Sequence, residues 1–137
     1  MTSGEYVIDG ARWVALSRHE DERGALTVFE SDNLPFPLVR YFVIDAGTGM
    51  VRGEHSSNAS ELIVCLRGHL MLDLDNGTER TTVEVEARGP GVWVQPGVWV
   101  RLHSFADGSL VGVASDLRYA DTVQWPTPMP SIGEPAP

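Results

Sequence analysis

His55 and Glu61, six residues apart in this 137-residue sequence, are side chains of types that could carry out proton-transfer chemistry. A neutral imidazole titrates near pH 7, and a nearby carboxyl group can supply or accept the second proton. The same two groups could be metal ligands, but protein sites for transition metals normally use about three or four. Three roles therefore stay open for His55: general acid or base, metal ligand, and ordinary histidine of a loop or pocket rim.

Other charged and aromatic candidates lie on segments that we predict to be strands. Arg40 has apolar neighbours, so it is costly to bury unless it is paired with an acid such as Glu30 or reserved for an anionic ligand. Arg52, three residues before His55, carries the same two alternatives. On a strand near 98–105, alternation places Trp99, Arg101 and His103 on one face and valine and leucine on the other. Hydrophobicity alone would turn the valine and leucine face toward the packed core.

Short β-type runs separated by Gly, Asn, Asp or Pro must position these residues. We predict strands near 11–16, 25–30, 38–45, 61–66, 69–75, 80–86, 91–94, 98–105 and 109–115. Asp75-Asn76-Gly77 is the clearest hairpin turn, because Asn-Gly readily adopts positive φ, and Arg67-Gly68 is expected to join two strands in the same way. Many short, closely spaced strands indicate a single all-β domain of the sandwich or barrel type.

Composition excludes several classes of function. A net charge of −9 argues against a nucleic-acid partner or an anionic membrane surface, since both require a basic protein surface. No apolar stretch approaches the roughly 18 residues of a membrane span. The single cysteine, Cys65, permits no intrachain disulfide, and no secretory signal is visible, so we expect a cytoplasmic protein. The sequence contains no lysine, which excludes Schiff-base chemistry.

Residues 49–68 resemble the first motif of the cupins: Gly, five residues, His-x-His, three or four residues, Glu, six residues and Gly. Gly49, His55, Glu61 and Gly68 match, whereas Ser57 stands at the second histidine. Residues 91–101 resemble the second motif, and the count from Pro96 places Arg101 at the later histidine. The resemblance implies an all-β, cupin jelly-roll β-barrel over residues 1–121, followed by a Pro-rich C-terminal tail over 122–137. It also turns the Arg101 and His103 face toward the lumen, and it predicts no bound metal.

A longer resemblance, from about residue 22 to 121, connects the chain to the sugar 3,4-ketoisomerases that act on TDP-linked 4-keto-6-deoxy sugars. The corresponding residues are Arg23-Gly24, Leu26, Glu30, Pro35-Phe36, Arg40-Tyr41-Phe42, Arg52-Gly53-Glu54-His55-Ser56-Ser57-Asn58, Cys65, Gly68, Asp75-Asn76-Gly77, Pro96, Val98-Trp99, Phe105, Ala114-Ser115 and Tyr119. In that family a pair of histidines moves a proton between neighbouring sugar carbons without a metal. One histidine of the pair is present here, as His55.

The resemblance implies a metal-independent isomerase of a nucleotide-linked 4-keto-6-deoxy sugar that needs no cofactor. The expected catalytic residues are His55, Glu61 and His103. The expected substrate-binding residues are Arg40, Arg52, Ser57, Arg101, Phe42, Trp99 and Tyr119. Two alternatives remain: isomerisation or cyclisation of a non-sugar intermediate in natural-product biosynthesis, and a non-catalytic binding module. Converging Arg, His and Glu at an open lumen would favour an enzyme, whereas a lumen filled by apolar side chains would favour a binding module.

We also expect a homodimer. Cupin barrels of this size often pair through the outer sheet or exchange an N-terminal strand. The apolar segment Trp13-Val-Ala-Leu16 is the candidate contact.

Overall fold

The computed structural model describes residues 5–133, which are mainly antiparallel β-strands. The strands in this part of the chain are β1 (Tyr6–Ile8), β2 (Ala11–Val14), β3 (Ser17–Asp21), β4 (Gly24–Val28), β5 (Arg40–Asp45), β6 (Arg52–Ser57), β7 (Glu61–Arg67), β8 (His69–Asp75), β9 (Arg80–Glu86), β10 (Gly91–Val94), β11 (Trp99–His103), β12 (Leu110–Ser115) and β13 (Gln124–Trp125). Short 3₁₀ turns cover Ser31–Asn33, Tyr119–Asp121 and Pro130–Gly133. No helix among the described residues is long and apolar enough to cross a membrane.

Two antiparallel sheets form the barrel and confirm the predicted all-β jelly-roll fold. The larger sheet has the order β1-β2-β10-β7-β12-β5, the smaller has the order β13-β6-β11-β8-β9, and β3 and β4 form a separate hairpin. The main core is drawn from both sheets and includes Ile63, Cys65, Leu70, Leu72, Leu74, Val85, Val92, Val94, Val100, Leu102, Val111 and Val113. These residues alternate with polar or outer-face residues along their strands, so the apolar faces meet between the sheets.

All nine predicted strands are present, while β1, β3, β6 and β13 were not predicted. β3 and β6 lack the apolar alternation that signals a strand; β3 reads Ser-Arg-His-Glu-Asp and β6 reads Arg-Gly-Glu-His-Ser-Ser. Their backbones are nevertheless paired, β3 with β4 and β6 with both β11 and β13. Pairing with neighbouring strands decided their conformation, because β-propensity depends strongly on context.

The two predicted turns have different outcomes. The Asp75-Asn76-Gly77 hairpin is confirmed: β8 pairs with β9 from Asp75 opposite Arg80, and Gly77 has φ of 96°. The expectation of a hairpin at Arg67-Gly68 is wrong, because β7 and β8 belong to different sheets. Gly68, with φ of 85°, instead redirects the chain from one sheet to the other.

The expected dimer contact at Trp13-Val-Ala-Leu16 stays a prediction, because a single chain does not test strand exchange, but its residues are not free on the surface of one barrel. Trp13 is only 4% exposed and belongs to the main core, so its ring is not on the surface. Leu16 is partly buried against a second apolar cluster on the outer face of the larger sheet, built around Phe36 and Leu62. The segment therefore stabilises the barrel itself.

The C-terminal segment contributes to the sheet structure, although the predicted division of the chain at residue 121 remains a prediction. β13 extends the smaller sheet by pairing with β6, through Gln124 opposite Ser57 and Trp125 opposite Ser56. Pro126 follows this short strand directly, and β13 lies at the edge of its sheet, where a proline is tolerated. The last residues of the predicted tail, 134–137, lie outside the described part of the chain.

A β-bulge in β6 determines which of its side chains face the interior. His55 is opposite Val100, Gly53 is opposite Arg101, and the pairing shifts between them, so Glu54 is the extra residue. Gly53 and Glu54 both have positive φ, of 84° and 64°. In a regular strand, positions 52 and 55 would point to opposite faces, but one inserted residue reverses the alternation. Arg52 and His55 therefore reach the same interior.

We predict that Gly53→Ala lowers the free energy of unfolding by about 1 to 3 kcal/mol. Gly53 occupies a positive-φ conformation, and an added Cβ would lie 2.9 Å from the Val100 carbonyl oxygen. Urea denaturation would measure the change. Gly47→Ala is the matched control, since its Cβ would meet Met50 at an ordinary 3.7 Å. Equal stability of the two variants would show that the bulge is not under this constraint.

Candidate active site

A cavity of about 300 Å³ opens between the two sheets. β5, β7 and β12 supply one wall, and β6, β11 and β13 supply the other. The apolar part of its lining includes Phe42, Ile63, Val100, Leu102 and Val113. The polar and charged lining residues are Arg40, Asp45, Arg52, His55, Glu61, Thr122 and Gln124. This volume lies at the lower end of the range for small-molecule sites, about 300–1,000 Å³.

Strand register aligns Arg40 and Glu61 in one row across the larger sheet. Ser115 of β12 is opposite Arg40 of β5 on one side and opposite Glu61 of β7 on the other. Residues opposite each other in antiparallel strands point to the same face, so all three face the cavity side. The Ser115 hydroxyl accepts a hydrogen bond from the Leu117 amide at 3.3 Å. The guanidinium and the carboxyl group therefore flank a small, buried serine.

Burial makes Glu61 a group that changes protonation near neutral pH. Desolvation in the cavity raises the pKa of Glu61 to about 7, and the charge of Asp116 also raises it. Arg40 partly opposes this by favouring the ionised form. Close to pH 7 the carboxyl group therefore populates both protonation states, as a general acid or base requires.

His55 is shifted in the opposite direction. Desolvation lowers the pKa of its imidazole below the usual value, and a backbone hydrogen bond of the same residue only partly offsets this. The ring is consequently neutral at pH 7 and free to accept a proton. His55 and Glu61 line one cavity, so a neutral base and a carboxyl group with a raised pKa face the same space.

Two arginines, Arg40 and Arg52, line the cavity. Among residues 5–133, the ion pairs within 4 Å involve neither Arg40 nor Arg52. Glu30, the expected partner of Arg40, instead accepts a hydrogen bond from Asn33 at 3.1 Å. The Arg40 guanidinium carbon lies 4.4 Å from the Phe42 ring centre and 5.1 Å from that of Tyr119. Of the two alternatives for Arg40, pairing with Glu30 has no support from this geometry.

Ser57 does not line the cavity. Its side chain is buried at 6% exposure, and its Oγ accepts a hydrogen bond from the Ala59 amide at 3.2 Å. This bond stabilises the turn that follows β6. The expected role of Ser57 in contacting substrate therefore has no support from its position.

The expectation that Trp99, Arg101 and His103 face the lumen is wrong. Val100 and Leu102, the alternate residues of β11, line the cavity instead, so the other three point away from it. Hydrophobic burial decided the orientation, against the motif count. The opposite assignment would have placed a guanidinium among the apolar side chains of the core.

The outward face of β11 forms an ion-pair cluster around Asp73. His103 Nε2 lies 2.8 Å from one Asp73 oxygen and Arg101 Nε lies 3.1 Å from the other, while Thr82 donates a hydrogen bond to the carboxylate at 2.8 Å. Burial opposes ionisation of Asp73, but the hydrogen bonds of His103 and Thr82 and the neighbouring positive charges together hold its pKa below the usual range. This cluster is a structural feature of the outer sheet surface. Trp99 stacks beside it, with the Arg80 guanidinium 4.9 Å from its ring centre.

Sequence reasoning missed Asp45, Thr122 and Gln124 among the lining residues. Asp45 ends β5, and the other two lie in the C-terminal segment that was expected to be a tail. A two-residue strand has no periodicity to detect, so no sequence signal could have placed Gln124 at the cavity. Within the described residues, no group of three or more His, Cys, Asp or Glu side chains is arranged to hold a metal ion.

Comparison with known proteins confirms the class inferred from the sequence. Residues 9–123 match the family described as WxcM-like, C-terminal, and this chain belongs to that family. It is 30% identical over 105 residues to the TDP-4-oxo-6-deoxy-α-D-glucose-3,4-oxoisomerase of Aneurinibacillus thermoaerophilus, covering 74% of this chain and 76% of the relative.

Solved structures share the fold at lower identity. One is a 3,4-ketoisomerase variant from Thermoanaerobacterium thermosaccharolyticum in complex with TDP-4-keto-6-deoxyglucose, with a TM-score of 0.79, 22% identity and coverage of 85% of this chain and 88% of that one. Another is a TDP-quinovose 3,4-ketoisomerase from Campylobacter jejuni, with a TM-score of 0.76, 22% identity and coverage of 82% and 88%.

We predict that Glu61→Gln changes the pH dependence of stability. The unfolded carboxyl group ionises near 4.5 and the folded one at about 7, so wild-type stability falls as pH rises through this window. The full pKa shift of Glu61 corresponds to about 3 kcal/mol of stability, and the glutamine amide of the variant does not titrate and so removes this pH-dependent contribution. Urea denaturation at about pH 5 and about pH 8 should show the variant gaining stability relative to wild type at the higher pH. His55 is present in both proteins, so its own contribution to the pH dependence cancels in the comparison. If the difference in stability between the variant and wild type were the same at both pH values, the raised pKa of Glu61 would be contradicted.

Proposed function

We propose that this protein is an isomerase of a TDP-linked 4-keto-6-deoxy sugar, with 3,4-ketoisomerisation as its reaction. The observation that carries the proposal is the cavity lined by His55, Glu61 and two arginines that form no ion pair within 4 Å among the described residues. The family membership and the oxoisomerase relative support the same chemistry. The converging Arg, His and Glu side chains also favour an enzyme over a non-catalytic binding module.

The arginines explain how a protein of net charge −9 binds an anionic substrate. Guanidinium groups form paired hydrogen bonds with phosphate oxygens, so Arg40 and Arg52 are the candidates for the substrate's pyrophosphate. A cavity of about 300 Å³ suits the sugar ring, with the nucleotide extending over the rim. Tyr119, 76% exposed beside Arg40, offers an aromatic surface there.

The proposed reaction moves a hydrogen from C3 to C4. Neutral His55 removes the proton from C3, and the bond electrons form a C3=C4 double bond while protonated Glu61 donates a proton to the C4 oxygen. Ionised Glu61 then takes the O3 proton of the resulting enediol, and protonated His55 returns a proton to C4, which gives a 3-keto, 4-hydroxy sugar and restores both groups. No oxidant is needed, because the carbonyl gained at C3 balances the one lost at C4. The apolar walls strengthen each of these electrostatic contacts.

A second candidate is an isomerisation or cyclisation of a non-sugar carbonyl compound in natural-product biosynthesis. The observation in its favour is that, among the described residues, His55 is the single imidazole lining the cavity. A turnover assay on TDP-4-keto-6-deoxyglucose separates the candidates, since binding of TDP without turnover of the sugar would favour the second.

We predict that His55→Ala reduces the turnover of TDP-4-keto-6-deoxyglucose by about 100-fold or more, as expected for loss of a general base. His103→Gln tests the competing sequence-based assignment. Because His103 contacts Asp73 outside the cavity, its replacement should change stability and leave kcat near the wild-type value. Nuclear magnetic resonance of the product mixture would give both rates. A large fall in kcat for His103→Gln with His55→Ala fully active would reverse the assignment.

We further propose that activity is metal-independent. His55, Glu61 and Asp45 line the cavity, but among the described residues no three His, Cys, Asp or Glu side chains are grouped closely enough to hold a metal ion. Structural and catalytic metal sites require about three protein ligands. Prolonged treatment with EDTA should therefore leave kcat unchanged. Elemental analysis with about one transition metal per chain, together with activity lost to EDTA, would contradict this.

We also propose a homodimer that forms through the outer face of the larger sheet at its β5 end. Tyr41, Val43 and Leu66 alternate with inward residues and are 38%, 53% and 38% exposed, and Val43 also borders the cavity. Such a two-fold interface should bury about 1,200 Å² or more. Sedimentation equilibrium should give twice the chain mass, and Val43→Arg should shift the mass toward one chain. A single-chain mass for wild type at micromolar concentration would overturn the dimer.

A further inference from the structure

Residues 122–129, which we call the C-terminal strap, lie across β6 and form one side of the cavity mouth. The backbone amide of Val123 donates a hydrogen bond to Asn58 Oδ1 at 2.8 Å, and the backbone amide of Asn58 donates to the Val123 carbonyl at 3.3 Å. Further along, Ser56 Oγ donates to the Thr127 carbonyl at 2.6 Å, and the Met129 amide donates to the Gly97 carbonyl at 2.8 Å. The strap is therefore attached to the barrel along its whole length.

This attachment brings Gln124 close to His55. Gln124 is directly opposite Ser57 in the β13–β6 pair, and directly opposite residues share a face of the sheet. Ser57 follows His55 by two positions, so His55 is the diagonal neighbour of Gln124 on that face, at a spacing that a long side chain spans. Both Gln124 and His55 line the cavity, whereas Ser57 does not.

The side chain of Gln124 is exposed at the cavity mouth, and its amide has no protein hydrogen-bond partner among residues 5–133, so it is available to a ligand. The neighbouring Thr122 differs, because its hydroxyl donates to the Arg118 carbonyl at 2.9 Å. A primary amide offers two donors and one acceptor without charge. It cannot transfer the reacting proton, but it is suited to a neutral hydroxyl group next to the reacting carbons. The position lies one residue beyond the part of the chain that matches the family, residues 9–123.

From this geometry we infer that Gln124 is a specificity-determining residue, whose amide hydrogen-bonds a hydroxyl group of the sugar ring bound beside His55. The inference rests on the proposed function for the identity of the ligand. It assigns to the C-terminal strap the part of the substrate nearest the acid–base pair, and leaves the pyrophosphate to the arginines.

The test is the affinity of Gln124→Met for two probes, TDP and TDP-4-keto-6-deoxyglucose, measured by calorimetry. The Gln124→Met variant and the parent protein that retains Gln124 both carry His55→Ala, so that the sugar is not turned over. Methionine keeps the length of the side chain and removes its hydrogen bonds. We expect the affinity for the nucleotide sugar to fall about 3- to 10-fold, the range for one neutral hydrogen bond, and the affinity for TDP to stay unchanged.

Val123→Ala is the matched control, because it trims an exposed strap side chain that does not line the cavity, and it should change neither affinity.

Equal affinity of the Gln124→Met variant and its parent for the nucleotide sugar would overturn the inference. An equal loss for TDP and for the nucleotide sugar would also overturn it, because Gln124 would then contact the nucleotide. The proposed function is decided separately by turnover in the wild-type protein. If wild type binds the nucleotide sugar without converting it, the proposed function fails, and the affinity difference still decides the role of Gln124. Absence of nucleotide-sugar binding in both the variant and its parent would overturn both.

Discussion

The side-chain alternation of two facing sheets, reversed at one point by the β6 bulge, is the constraint on which the site depends. Alternation places apolar side chains between the sheets, and it would by itself send Arg52 and His55 to opposite faces. The extra residue Glu54 brings both into the cavity. The bulge is tolerated because Gly53 accepts positive φ, and it occurs next to the proposed base, where re-aiming a side chain has a functional consequence.

Two carboxyl groups, of Glu61 and Asp73, have pKa values shifted in opposite directions by their different environments. Inside the cavity, Glu61 is largely surrounded by protein, and its pKa rises to about 7 because desolvation outweighs the charge of Arg40. On the outer surface, Asp73 is also buried, but hydrogen bonds from His103 and Thr82 and the nearby positive charges hold its pKa below the usual range. The first carboxyl group is a candidate for proton transfer because its charge is poorly compensated. The second is compensated and stabilises the sheet.

Membership of the WxcM-like family accounts for the barrel, and the residues that follow His55 determine how the C-terminal strap lies over the cavity. Ser57 stabilises a turn, and the adjacent Ser56 and Asn58 bind the C-terminal strap. The segment that reads His55-Ser-Ser-Asn58 therefore combines one candidate catalytic group with two attachment points for the strap. These attachments are what place Gln124 and Thr122 at the mouth of the cavity.

The amino-acid sequence by itself determined the all-β class, nine of the strands, the Asp75-Asn76-Gly77 hairpin and the candidates His55, Glu61, Arg40 and Arg52. These follow from local signals: apolar alternation, turn chemistry and the spacing of chemically active residues. Tertiary structure alone decided the orientation of β11, the bulge in β6 and the docking of β13. Each of these depends on which strand a segment pairs with and which face packs against the core. Trp99, Arg101 and His103 were assigned to the lumen because a motif count has no information on burial. Packing Val100 and Leu102 inward costs far less than burying a guanidinium.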